Sequence, residues 1–390
     1  MPIKTFISTF LASTFSMMIA HAQQNLKYIV KEAPEWSDLF KRHQGWFGAD
    51  GIYSVSLNHP ENKSPKRRTK HLFWFSDTVI GEVKNNKPVK GAMVNNSLGL
   101  LSGSKPDSTK FKFYWNESQG KPQTIFIPDT TEAVPGDYYW LGDGFYNRKK
   151  KKMYIIAYRM YNSKPGESWS FRQRSIDMIE FPVRKNQPVY GDYKAIPIPY
   201  AFHKSGSESE IGLGAGIVNN TKEAGSTNPD GYIYIYGVRG KNKELIAARV
   251  REDSFETYAE WRFWNGVEWT RNTDSLVRIA ANISNEMSVS QSGDGQYLLV
   301  YQQSGLSDKV MMSVGKSPVG PFGKPVMLYR TTESTQNKNY FAYNAKAHPG
   351  LSNWGELLIS YNVNSFEFIS DITKNAAFYR PRFIKIIFEK

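Results

Sequence analysis

With 390 residues and no cysteine, the chain is long enough to bury its own core and holds no disulfide, thiolate metal site or cysteine nucleophile. Its net charge of +14 favours anionic partners only weakly. Much of the excess sits in two runs, Lys66-Arg67-Arg68 and Arg148 to Lys152, which fall where hairpin turns are expected and read as solvated turns; no nucleic-acid partner is inferred.

In chain order, the first element expected is a secretory signal peptide over residues 1–22. Lys4 supplies its positive region, Phe6 to Ala20 its apolar stretch, and Ala20-His21-Ala22 its small-x-small cleavage pattern. That stretch is too short and too rich in Ser and Thr to span a membrane, and no second long apolar run follows. The expectation is a secreted or periplasmic, soluble, monomeric protein starting at Gln23, with no transmembrane segment and no cysteine for a lipid anchor.

A short helical turn is expected at Pro34 to Lys41, and no sustained helical periodicity elsewhere. Alternating aromatic and aliphatic runs read as strands at His71 to Ser76, Lys152 to Tyr158, Gly231 to Gly237, Gln296 to Tyr301, Glu356 to Tyr361 and Phe383 to Phe388. Turn signals separate them, among them Asn58-His59-Pro60, Asn228-Pro229-Asp230-Gly231 and Ser292-Gly293-Asp294-Gly295. A short strand, a polar turn and an aromatic second strand recur near residues 50–78, 143–158, 212–237, 286–302 and 344–361. The fold class expected is all-β, a single five-bladed β-propeller domain over residues 23–390, with a two-sheet sandwich as the alternative.

Two carboxylates bracket the first hairpin. Asp50 precedes the strand Gly51 to Leu57 and Asp77 follows the strand His71 to Ser76, so symmetric pairing sets them opposite each other at the open end. Like charges held close together leave one proton between them, which divides a pair into general acid and nucleophile or base. Asp143, in Gly142-Asp143-Gly144, and Glu286 occupy the same repeat position in later units and are expected to tune proton affinity or hold substrate hydroxyls around one central pocket. A lone Asp before a glycine is usually a turn residue; the pairing of Asp50 with Asp77 and the shared phase of Asp50, Asp143 and Glu286 favour a site.

A sugar pocket also needs aromatic platforms and hydrogen-bonding side chains. Trp46, Trp74 and Trp140 lie near the acids in sequence, and Asn95, Asn96, Asn344, Asn362 and Asn364 fall in strand-like segments where asparagine is depleted. His348 is a candidate base, although a lone histidine is more often a packed loop residue. Arg380 and Arg382 suit either a carboxylate clamp or a tie between the last strand and the first unit. No zinc-protease, Walker or dinucleotide motif occurs, and Gly212-Leu213-Gly214-Ala215-Gly216 reads as close packing near an axis. No cofactor is called for and no metal ligand set is identified, while a structural cation at a propeller axis would need no local motif.

The segments Gly45 to Leu57, Leu72 to Gly81 and Met93 to Ser97, with Tyr232 to Val250, Glu286 to Tyr301, Tyr361 to Ser365 and Tyr379 to Phe383, resemble a secreted propeller family catalogued as domain of unknown function 4185, with a close relative numbered 5005. The 4185 group includes endo-acting D-arabinanases of glycoside hydrolase family 183. The resemblance implies a five-bladed propeller with two central aspartates cleaving a furanoside linkage, at positions matching Asp50 and Asp77. The basic insert Asn58 to Lys70 departs from that pattern and leaves the substrate open. The function expected is a secreted glycoside hydrolase acting on a polysaccharide or oligosaccharide; the alternatives are a non-catalytic, lectin-like propeller and, more remotely, an adhesin.

Overall fold

A computed structural model of the chain describes residues 26–389 apart from 165, 166, 168, 200, 201 and 203–209, so the expected signal peptide lies outside the described residues. The protein is all-β: among the described residues, strands form seven sheets, five of them with four or five strands.

Sheet 1 runs outward from Tyr53–Ser56 through Lys70–Phe75 and Ser97–Ser102 to Phe111–Tyr114. Sheet 2 starts at Tyr138–Asn147, sheet 3 at Ile211–Asn220 and sheet 4 at Met287–Gln291. Sheet 5 runs from Tyr340–Ala347 through Glu356–Ser365 and Arg382–Phe388 to Tyr28–Glu32, so the first and last strands of the chain pair antiparallel. The five recurrent hairpins of the sequence are the two inner strands of these five sheets.

The order is cyclic because each sheet buries both faces. Along Lys152–Asn162, Met153, Ile155 and Ala157 pack toward sheet 1, while Tyr154 and Ile156 pack toward sheet 3. Successive side chains of a strand point to opposite faces, so an uninterrupted apolar run serves two interfaces at once. Five apolar clusters result, one between each sheet and the next, and the last, containing Phe73, Phe75, Leu358 and Phe383, joins sheet 5 back to sheet 1. This propeller-like closure rules out a two-sheet sandwich.

Two features were not anticipated. A three-stranded sheet, Gln44–Ala49 with Thr78–Lys84 and Lys87–Val94, is inserted beside sheet 1. A seven-residue helix, Phe368–Lys374, follows the second strand of sheet 5 and buries Ile372. The helical turn near Pro34 is an α-turn at Pro34–Ser37 continued as a 3-10 turn at Asp38–Phe40. Among the described residues no helix is long and apolar enough to cross a membrane.

Arg148 and the insert Asn58 to Lys70 do more than occupy solvated turns. The Arg148 guanidinium donates to the carbonyls of Ser56, Leu57 and His59. Half-buried Glu61 accepts from the amides of Ser56 at 2.6 Å and Gly350 at 3.1 Å, and the Asn62 amide donates to the Ala224 carbonyl at 2.9 Å. The insert therefore ties sheets 1, 2, 3 and 5 together at one end of the axis.

Candidate active site

The site begins with the register of the first hairpin. Tyr53 pairs with Trp74 and Ser56 with His71, the symmetric register that brings residues 50 and 77 together. The Asp50 amide donates to the Asp77 carbonyl at 3.2 Å, and the Ser76 amide donates to the Asp50 carbonyl at 2.9 Å. The chain then turns at Gly51 with φ +59°, where a β-carbon would stand 2.6 Å from Ser76 Oγ, so only glycine fits after Asp50.

Asp50 and Asp77 keep a solvent-facing edge, yet burial raises both protons' affinities: Asp50 is pushed up to about 8, chiefly by burial and then by the Asp77 charge, and Asp77 to about 6 by burial. Tyr343 and Asn95 oppose these shifts. The Tyr343 hydroxyl donates to Asp50 Oδ2 at 2.7 Å, and Asn95 Nδ2 donates to Asp77 Oδ1 at 3.3 Å. The Asn364 amide donates in turn to the Tyr343 oxygen at 3.3 Å, and Tyr379 steadies the turn by donating to the Asp77 carbonyl at 3.0 Å. The Trp140 indole faces Asp77 and lowers its pKa, although its N–H closes no bond of full geometry.

Asp143 lies at a bulge in the inner strand of sheet 2, between Leu141 and Gly144. Its carboxylate accepts from the amides of Gly144 at 2.8 Å and Ile217 at 2.6 Å, the latter from sheet 3, and burial pushes it up to about 7. Glu286, at the start of the inner strand of sheet 4, pairs with Lys346 and accepts from Asn344 at 2.7 Å. Lys346 is only 2% exposed, sits 3.7 Å above the Tyr53 ring, and has its pKa lowered by burial. The charges of Asp143 and Glu286 both act on the Tyr158 phenol, whose buried hydroxyl has no partner. Asp50 is raised by the charges of Asp77 and Glu286, and the charges of Glu286, Asp143 and Asp50 all act on Lys346, which links Asp143 to the group.

The other expected residues divide. Asn364 and Trp140 belong to the cluster, as described, while buried Asn362 lies in register with Tyr343, neither polar atom of its amide partnered. Trp46 and Trp74 are not sugar platforms. Trp46 is buried in the cluster joining sheets 5 and 1, stacked on Phe113 at 4.5 Å; Trp74 stacks on Tyr53 at 5.7 Å and donates to the Gly142 carbonyl at 2.8 Å. Asn96 is a connector, exchanging bonds of 2.8 and 2.9 Å with the Phe126 backbone. His348 is no base: its ring nitrogens are 2.8 Å from Ser54 Oγ and Ser360 Oγ, and burial pushes it down to about 3. Arg382 does not reach the acids; it pairs with Glu333 at 3.6 Å and donates to the carbonyls of Arg380 and Ala377. Arg380 ties sheet 5 to the inserted sheet by donating to the Phe47 carbonyl.

Sequence reasoning missed Tyr343, Lys346 and Tyr158. Lys346 sits in Ala345-Lys346-Ala347, where alternation reads as a solvent-facing lysine, and only the ring closure turns that face inward. Below the acids, the inner strands enclose a cavity of about 60 Å³ lined by Asp143, Ser290, Lys346 and His348, room for a few water molecules.

The profile of a family described as Domain of unknown function (DUF5005) matches residues 34–388. Among solved structures, a candidate hydrolase from Bacteroides ovatus ATCC 8483 is similar with a TM-score of 0.68 at 19% identity, over 96% of this chain and 97% of that one. This is a likeness of fold. An exo-β-1,3-galactanase from Phanerochaete chrysosporium gives a TM-score of 0.48 at 10% identity, over 87% of this chain and 60% of that one. An α-L-arabinofuranosidase from Podospora anserina gives 0.42 at 12% identity, over 88% and 97%. No curated protein matches the sequence.

Proposed function

The chain belongs to the DUF5005 family, and from that premise we propose that it is an exported glycoside hydrolase, a five-bladed propeller whose Asp50 and Asp77 cleave a glycosidic bond. The five principal sheets are the blades, and the signal peptide over residues 1–22 is the export signal. One observation carries the reading. Two aspartates from opposite ends of one hairpin meet at the mouth of the ring, both with raised pKa values, so the pair holds a single proton near neutral pH.

Glycoside hydrolysis needs that division: a carboxylic acid protonates the leaving oxygen while a carboxylate attacks the anomeric carbon or activates water. Burial and the Asp77 charge favour Asp50 as the proton-bearing member, with Asp77 the ionised partner. Tyr343 holds the Asp50 carboxyl in place by donating to Oδ2, with the Tyr379 hydroxyl beside it. Asp143 and the Glu286–Lys346 pair set the field around the sugar, and the backbone amides on Asp143 fix its plane. Furanoside linkages of arabinan type are the first substrates to try, on the resemblance of the opening segments.

The test is reducing-end release from L-arabinan, D-arabinan and galactan by wild type and by an Asp50→Asn, Asp77→Asn variant. Release by wild type alone is expected. Equal release by the variant would remove both residues from the mechanism, and binding without release by either protein would mark a lectin-like propeller.

A further inference from the structure

An arc of aromatic rings begins at one member of the acid pair and ends at the other. Trp140, which faces Asp77, packs edge-on to Phe171 at 4.7 Å; Phe171 meets Trp169 at 5.9 Å. Trp169 meets Phe341 at 5.9 Å and Phe366 at 6.0 Å, and Phe341 meets Tyr343, the donor to Asp50, at 5.5 Å. The arc crosses from sheet 2 to sheet 5, two sheets that flank sheet 1 and share no strand pairing.

Two of these rings lack the burial that explains core aromatics. Trp169 is 45% exposed and Phe366 53% exposed, whereas Phe341 beneath them is buried. Trp169 also has φ +64°, a conformation that a bulky side chain rarely adopts. Beside Trp169, the Ser163 amide and hydroxyl donate to the Ser170 carbonyl at 2.9 and 2.8 Å. Exposed flat rings beside convergent polar groups are what a ligand with an apolar face and a polar rim requires.

The charge at this mouth selects among such ligands. Asp50, Asp77, Asp143 and Glu286 are acidic, and the one cation paired into this cluster among the described residues is Lys346, already bound to Glu286. A uronate at the acid end of the arc would meet the Asp77 carboxylate, which no cation pairs among the described residues, while Arg172, whose guanidinium donates to the carbonyls of Trp169 and Phe171, stands at the other end.

We propose that Trp169 and Phe366, backed by Phe341, form a stacking subsite for a neutral sugar ring of the same glycan that the acid pair engages. The proposal rests on the glycosidase reading for its ligand, but it is read by binding and not by hydrolysis.

The mature protein and its Trp169→Ala, Phe366→Ala and Trp354→Ala variants are compared by affinity electrophoresis in L-arabinan, D-arabinan, galactan and polygalacturonate, with thermal unfolding of each as the folding check. Trp354 is 76% exposed and lies outside the arc, so it serves as the control. Retardation of wild type and Trp354→Ala by at least one neutral glycan is expected, with a loss of about tenfold in affinity for both arc variants at unchanged melting temperature. Retention of wild-type affinity by both arc variants overturns the proposal. So does absence of binding to all three neutral glycans, or Trp169-dependent binding confined to polygalacturonate. Failure of the hydrolysis assay alone leaves these outcomes readable, because binding needs no turnover.

Discussion

Tyr343 donates its hydroxyl proton to Asp50 Oδ2 at 2.7 Å across 293 residues of sequence, and Asn364 from the neighbouring strand donates to the same tyrosine oxygen. This bond stabilises the ionised form of Asp50 and so works against the burial that raises its pKa.

Replacing Tyr343 by Phe removes that donor and keeps the ring. The Asp50 pKa then rises further, and the alkaline limb of the activity profile moves up by about one unit, in line with a hydrogen bond to a charged group. The kcat–pH profile of the variant on the substrate identified by reducing-end release is the measurement; an unmoved alkaline limb would detach Asp50 from that limb.

Asp143 supplies a pH dependence of stability. Its folded pKa, about 7, lies above the 3.8 of an unperturbed side chain, so its contribution is fully present below about pH 4 and is lost as pH rises through 7. Asparagine cannot ionise there but gives up one of the two amide bonds. Asp143→Asn is therefore expected to melt below wild type at pH 5, by the equivalent of about 1 kcal/mol, and above it at pH 9, where the ionised Asp143 has lost roughly 2–3 kcal/mol more. Melting curves at both values check the sign.

Lys346→Met leaves Glu286 half-buried without its cation, a change that costs on the order of 3–5 kcal/mol when a buried ion pair loses one member. Adding Glu286→Gln recovers most of the loss. A double-mutant cycle by chemical denaturation measures the recovery, and additive losses would show that the pair is not coupled.

Gly214 lies at a close approach of sheets 2 and 3, its carbonyl 2.8 Å from where a β-carbon on Gly142 would stand. The φ of Gly214 is +95°, and a β-carbon there would stand about 2.5 Å from Ile156 side-chain atoms. Gly214→Ala should destabilise by roughly 1–3 kcal/mol more than Gly136→Ala, which shares the positive φ (+91°) but has nothing within 4 Å of the added methyl. Comparing the two melting temperatures separates the crowding from a general effect of the added methyl.

The inner hairpins were legible because both faces of every blade are apolar, so each second strand writes itself as an unbroken run such as Met153 to Ala157. The Asp50–Asp77 pairing was legible because a hairpin's register is local, here the symmetric Tyr53–Trp74 pairing. Closeness in sequence misled elsewhere. Trp74 is three residues from Asp77, but strand alternation turns it with Leu72 into the cluster against sheet 2. Trp46 is four residues from Asp50 yet belongs to the inserted sheet, whose partner strand Thr78–Lys84 comes after the whole hairpin. Tyr343 and Lys346 could not be found locally, since what makes them site residues is the closure of sheet 5 onto sheet 1.

That closure has a consequence for biogenesis. Sheet 5 takes Tyr28–Glu32 from the beginning of the chain and Arg382–Phe388 from its end, so its outer edge cannot form on any nascent chain short of the last strand. The ring is completed by the contact of longest sequence separation, and such contacts form late. A nascent chain thus carries its earliest-emerging strand unpaired, and its productive folding waits on release of the other end.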